Sequence, residues 1–92
     1  MPYEWDEAKN RRNFAKHGLA FEDARQVFAG PCVTFEDERF DYGEERLITL
    51  GLLAGRVVLR AHAPRGERTR IISMRKANRS EQEIYQKQLG AA

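Results

Sequence analysis

Cysteine is almost missing from this chain. The single Cys32 excludes an intrachain disulfide and argues against a cysteine-built zinc site; with no activating partner nearby, it reads as a core residue. No run of about 18 apolar residues occurs, so no membrane-spanning helix is expected. The opening Met1-Pro2-Tyr3-Glu4-Trp5-Asp6 has no signal-peptide character, and a cytoplasmic location follows as the expectation. There is no P-loop, no GxGxxG and no nucleophile elbow, and no cofactor is expected. The acids Glu36, Asp37, Glu38, Asp41, Glu44 and Glu45 lack both EF-hand spacing and accompanying histidine ligands. They read as a solvated loop or hairpin rather than a metal site, and no metal is expected.

What is present suits one small globular domain spanning residues 1–92. An apolar fraction of 41% accompanies a charged fraction of 33%. A chain of this length buries only roughly 60–65% of its unfolded surface, so each element must serve a modest core. The net charge of +2 conceals an asymmetry. Residues 1–50 hold seven Lys/Arg against eleven Asp/Glu, a net −4, whereas residues 51–92 hold nine against three, a net +6. Such a division fits either a polyanionic partner for the basic half or simple balance within the molecule.

Along the chain, Tyr3-Glu4-Trp5 suits a short initial strand. Asp6 caps a helix reaching about His17, and Gly18 supplies its stop. This helix is unusually polar. Only Ala8, Phe14 and Ala15, with Leu19 just beyond, offer apolar contacts, so a surface helix with a narrow buried edge is expected. A second helix fits Phe21 to about Ala29, with Phe21, Ala24, Val27 and Phe28 on its buried stripe. Val33-Thr34-Phe35 reads as a strand. Arg46 to Leu53 and Arg56 to Ala63 are the clearest strand pair, joined by a tight turn at Ala54-Gly55. After turn chemistry at Pro64-Arg65-Gly66, another strand covers about Thr69 to Arg75. Ser80-Glu81-Gln82-Glu83 matches a capping box opening a terminal helix with Ile84, Tyr85 and Leu89 as its apolar side. Two N-terminal helices, three or four antiparallel strands and a C-terminal helix define an α+β fold. The helices are expected on one face of the sheet, leaving the other partly open to a ligand.

The residues that suggest chemistry are basic. Arg65, Arg68, Arg70, Arg75, Lys76 and Arg79 surround the apolar run Ile71-Ile72-Ser73-Met74, a strand carrying cations at both ends. Arginines held close together bind phosphates; solvated arginines flanking a buried strand are the plainer reading. Arg70 and Arg75 are five apart, so in a regular strand they face opposite sides unless a bulge intervenes. Lys9, Arg12 and Lys16 share one face of the first helix. Lys16-His17-Gly18 is an ordinary helix end, or else a phosphate contact beside a proton carrier. His62 falls on the strand face that also holds Arg60 and is expected to face solvent beside a ligand.

Taken in order, Trp5-Asp6-Glu7-Ala8-Lys9-Asn10, Lys16-His17-Gly18, Phe21-Glu22-Asp23-Ala24, Tyr42-Gly43-Glu44-Glu45-Arg46, Gly55-Arg56-Val57 and Arg70-Ile71-Ile72-Ser73-Met74-Arg75 resemble the BrnT family, the toxins of BrnT/BrnA type II toxin–antitoxin systems. The resemblance runs from about Tyr3 to Tyr85. It implies a RelE-like α+β fold and a metal-independent endoribonuclease that inhibits translation. It also implies a ribbon-helix-helix BrnA antitoxin through which the pair meets operator DNA and represses its own operon. Carried over residue by residue, the catalytic set is Lys16, His17, Arg65 and Arg75, with Arg70, Ser73, Lys9, Arg12 and His62 as RNA contacts. Convergence of the first four is the expectation. Two positions depart from the family pattern: Ala20 stands where a helix-capping Ser is common, and His62 where Tyr is common. A non-enzymatic nucleic-acid binder and a module that only docks an antitoxin are the competing readings.

Overall fold

A computed structural model describes residues 3–38 and 43–89. Strand β1 (Tyr3–Glu4) leads into helix α1 (Glu7–His17). A single 3-10 turn (Phe21–Asp23) continues directly into α2 (Ala24–Ala29). Strands β2 (Cys32–Glu36), β3 (Leu47–Leu53), β4 (Arg56–Arg65) and β5 (Arg68–Lys76) follow, and α3 (Arg79–Gln88) closes the described chain. The sheet order is β1-β5-β4-β3-β2, antiparallel throughout except for β1, which lies parallel to β5. The sheet is therefore mixed and five-stranded, where three or four antiparallel strands were expected. Expectations for Arg39, Phe40, Asp41 and Tyr42 lie outside the described residues.

Local chemistry sets the element ends. The Asp6 carboxylate accepts the N–H groups of Ala8 and Lys9, and Gly18 ends α1 in the left-handed region at φ 71°. Ala20 caps nothing with its side chain, and the segment after it begins as a tighter 3-10 turn instead of the continuous helix expected from Phe21. At the β3–β4 hairpin, Ala54 and Gly55 both have positive φ, the two-residue geometry that matches strand twist. The terminal capping box is offset from the expected one. Asn78, not Ser80, is the cap: it accepts from Glu81 N–H while the Glu81 carboxylate accepts from Asn78 N–H. Glu81 stands three residues after Asn78, the spacing that lets each side chain reach the other's backbone.

Helices cover both faces of the sheet, not one. Beneath α1 and α2, Phe21, Ala24, Val27, Val58, Ile71 and Met74 form one cluster, with Tyr3, Trp5, Leu19 and Leu53 at its margin. On the other face, Ile48, Leu50, Leu59 and Ala61 pack with Ala77 and Tyr85 of the α3 segment. The physical reason is in β3 to β5, whose alternation leaves large aliphatic side chains on both sides. Each contributes roughly 1.5–3 kcal/mol only if enclosed. Of the expected apolar side of α3, Tyr85 alone is buried, its hydroxyl donating to Pro31 O at 3.0 Å; Ile84 and Leu89 stay exposed. Gly51 lets α2 settle on β3: a Cβ there would stand 2.7 Å from Val27 O.

Helix α1 docks by hydrogen bonds. Its buried residues are Asn10 and Asn13, whereas Ala8, Phe14 and Ala15, the expected apolar edge, are exposed. Asn10 Oδ1 accepts from Phe21 N–H at 2.9 Å, and its amide donates to Glu22 at 2.8 Å. Asn13 Oδ1 accepts from Met74 N–H at 3.1 Å, and its amide donates to Leu19 O at 2.9 Å. Two side-chain amides thus tie the helix to β5 and to the turn that starts α2.

Candidate nucleic-acid interface

The end of α1 and the β3–β4 hairpin meet at one edge of the molecule. Between them runs an open groove of about 560 Å³, lined by His17, Asp23, Gln26, Arg56 and Lys76 together with Leu53 and Val58. The antiparallel order explains the meeting: the start of β4 and the end of β5 are neighbours, with Val58 opposite Lys76. Arg56 and Lys76 form no ion pair among the described residues, while Asp23 is the one acid on the groove wall. A second groove, of about 510 Å³, shares Arg56 and Lys76 and lies toward α3. These two cations form the ridge between the grooves. Lys16 precedes His17 and is exposed, and Lys9, Arg12 and Lys16 occupy an arc of about 60° on the solvent side of α1. This is a cationic surface with an imidazole in it.

The structure does not bring Lys16, His17, Arg65 and Arg75 together. Arg65 sits at the β4–β5 turn opposite Arg68, nine residues and roughly 30 Å of strand from Arg56. There it reaches Glu44 at 3.4 Å, an exposed pair worth little. Arg75 lies on the α3 face, opposite Leu59, where its two terminal nitrogens hold Glu81 at 2.8 and 2.7 Å. Arg70 pairs with Glu4 of β1 at 3.0 Å. Ser73 is half-buried opposite Ala61. A bulge does intervene in β5: the register with β4 slips between Ala61 and His62, leaving Ile72 as the extra residue. Arg70 and Arg75, opposite Ala63 and Leu59 of a regular β4, consequently share the α3 face. Lys76, read among the basic residues of the last strand, and Arg56, quoted only in the resemblance, were not assigned to the site, yet a signal joined them: a hairpin turn and the end of the next antiparallel strand must lie at the same end of a sheet.

His62 and Arg60 correct a further expectation. Both face α2 and are buried, not open to a ligand. The side of the sheet on which alternation places them is the side that Phe21, Ala24 and Val27 need to cover. The His62 Nε2 shares a hydrogen bond of 2.8 Å with Thr49 Oγ1, which in turn meets Thr34 Oγ1 at 2.8 Å. Its ring stands edge-on to Phe28 at 5.4 Å. Burial, and then the Arg60 charge, push its pKa down to about 4, so His62 is neutral at neutral pH. Cys32 is half-buried as a free thiol.

Among the described residues, no group of three His, Cys, Asp or Glu side chains is placed to hold a metal ion. No helix among them is long and apolar enough to cross a membrane. No curated protein matches the sequence. The family described as the ribonuclease toxin, BrnT, of type II toxin–antitoxin system matches residues 5–81, within the span of the resemblance and as far as the Glu81 of the capping box. That match covers most of the 92 residues, and the chain belongs to the BrnT family of ribonuclease toxins of type II toxin–antitoxin systems.

Proposed function

We propose that this BrnT chain is a metal-independent endoribonuclease whose reaction takes place in the groove between the end of α1 and the β3–β4 hairpin. The observation that carries the reading is the meeting of His17, Arg56 and Lys76 in that one groove, with two cations unpaired among the described residues. RNA supplies its own nucleophile. The His17 imidazole takes the proton of a ribose 2′-OH, the 2′-oxygen bonds to the adjacent phosphorus, and the P–O5′ bond breaks. Lys76 gives a proton to the departing 5′-oxygen, and a 2′,3′-cyclic phosphate and a 5′-hydroxyl result. Arg56 stabilises the extra charge on the phosphorane oxygens, a bidentate task suited to guanidinium. Lys16, Arg12 and Lys9 hold the flanking backbone. Arg65, Arg70 and Arg75, each facing a carboxylate, serve the fold or the outer RNA contacts rather than the reacting phosphate.

The biological side of the proposal follows from the family. Cleavage of cytoplasmic RNA halts translation. A BrnA-type antitoxin with a ribbon-helix-helix domain covers the groove, and the complex represses its operon through the antitoxin's hold on operator DNA. The RelE-like layout belongs to the same reading: one helical layer and a twisted sheet frame the cationic groove. The test uses purified chain and a defined RNA. His17→Ala, Lys76→Ala and Arg56→Ala are expected to lower kcat at least about 100-fold with unchanged melting temperature. The wild-type product should end in a cyclic phosphate with chelator present. Full activity in all three variants, with loss in Arg65→Ala or Arg75→Ala, would place the reaction elsewhere. Salt-dependent binding without any product would make the chain a nucleic-acid binder.

A further inference from the structure

Arg60 is the largest of the fully enclosed side chains, and only part of its hydrogen-bonding capacity is used. Nη1 donates to Ala24 O at 3.0 Å. The guanidinium carbon lies 3.0 Å from the centre of the Phe28 ring and 5.8 Å from that of Tyr3. Nε and Nη2 are buried and find no acceptor. These two nitrogens form one edge of the guanidinium, with their N–H bonds nearly parallel. That edge fits the two oxygens of a carboxylate or a phosphate. Burial pushes the Arg60 pKa down to about 9, which leaves it a cation at neutral pH. Among the described residues no carboxylate pairs with it; Glu4, on the neighbouring β1, is taken by Arg70. A desolvated cation with a free bidentate edge strongly favours a compensating anion.

Tyr3 neighbours both the guanidinium and an outer groove. Its ring lies beside the guanidinium, and it also lines an outer groove of about 630 Å³ with Trp5, Glu22, Arg25 and Gln26. Few backbone bonds hold it, since β1 contributes only two residues to the sheet; its ring packs at the margin of the core cluster and stacks on Phe28 at 5.6 Å, and its hydroxyl supports the Arg60 charge. Glu22, the acid of that groove, is engaged by Asn10, while Arg25 is exposed at its rim.

We propose that Arg60 is the receptor of a latent site for a small oxyanion, a carboxylate or a phosphate, which enters from the outer groove when Tyr3 swings aside and is held by Nε and Nη2. The site is separate from the reaction groove and does not depend on ribonuclease activity.

The experiment follows the Arg60 Nε–H resonance of the ¹⁵N-labelled full-length chain during titration with formate, inorganic phosphate and chloride at constant ionic strength. A saturable shift with formate, phosphate or both, and none with chloride, is the expected result. A response to one oxyanion alone identifies it as the ligand class. A tenfold excess of that anion over its Kd should raise the melting temperature by roughly 5–10 °C. Arg60→Met should abolish the anion-specific rise, and Tyr3→Ala should strengthen binding several-fold by opening the way in. The wild-type titration needs no variant to fold. No shift in either the wild type or Tyr3→Ala, or a melting response undiminished in Arg60→Met, overturns the proposal.

Discussion

Asn13→Ala is expected to be among the most damaging single changes outside the hydrophobic clusters. It removes two hydrogen bonds, one from Met74 N–H at 3.1 Å and one to Leu19 O at 2.9 Å. Each is worth about 1 kcal/mol net. The Met74 amide lies in the interior, on a residue with no exposed surface, and losing its acceptor adds roughly 1–3 kcal/mol. Leu19 is half-buried, so water can satisfy its carbonyl at little cost. The sum is about 3–5 kcal/mol, a large share of the roughly 5–15 kcal/mol that small domains possess. Urea unfolding measures it directly, with the slope unchanged if the denatured state is unaffected. Asn13→Asp divides the effect: its carboxylate still accepts from Met74 but cannot donate to Leu19 until it is protonated. This variant should therefore gain stability relative to wild type as the pH is lowered. A loss below about 0.5 kcal/mol in Asn13→Ala, or full stability in Asn13→Leu, would refute the claim that amide bonds anchor α1.

Two further outcomes follow from the hairpin and the buried imidazole. Ala54 adopts φ 53° in the β3–β4 turn, a region that disfavours a Cβ by about 1 kcal/mol. Ala54→Gly or Ala54→Asn should raise stability by roughly 0.5–1 kcal/mol in thermal unfolding. His62 titrates near 4 when folded and near 6.5 when unfolded, so the unfolded chain binds more protons between those values. Stability is fully present above about pH 6.5 and falls by about 3 kcal/mol as the pH drops to 4. A pH series of unfolding free energies should show that slope in wild type and lose it in His62→Phe. Asp6, whose carboxyl is held below its ordinary 3.8 by N–H bonds from Lys9 and Ala8, acts in a separate, lower window.

Much of the α+β arrangement was legible from local signals. Asp6 and Gly18 bracket α1, and Ala54-Gly55 marks the hairpin, because caps and tight turns are set by residues a few positions apart. The alternation of β4 correctly separates Val57, Leu59 and Ala61 from Val58, Arg60 and His62. What alternation does not show is which layer covers each set. His62 read as solvent-facing because polar side chains ordinarily are, yet it and Arg60 lie under Phe28 on the covered face that also holds Val58. Asn10 and Asn13 misled for the same reason: their partners, Phe21 and Met74, are 11 and 61 residues away. At the candidate site, His17 and the basic face of α1 were readable. The company of Arg56 and Lys76 was not, since it depends on how the helical layer lies across the sheet.

The bulge at Ile72 has a consequence for how β5 tolerates change. It acts as a phase slip in a two-beat pattern: Ile71 and Met74, three residues apart, both face α1 and α2, as only an even spacing would otherwise allow. The two halves of the strand are each in register with a rigid neighbour, so the slip cannot be spread along the chain. Exchanging one side chain for another leaves that phase intact. Removing the extra residue, Ile72, would keep it too: Ile71 and Met74 would then stand two apart in a regular strand, still on one face, with Arg75 still opposite Leu59. In this strand, the facing of each half is more tightly specified than its length.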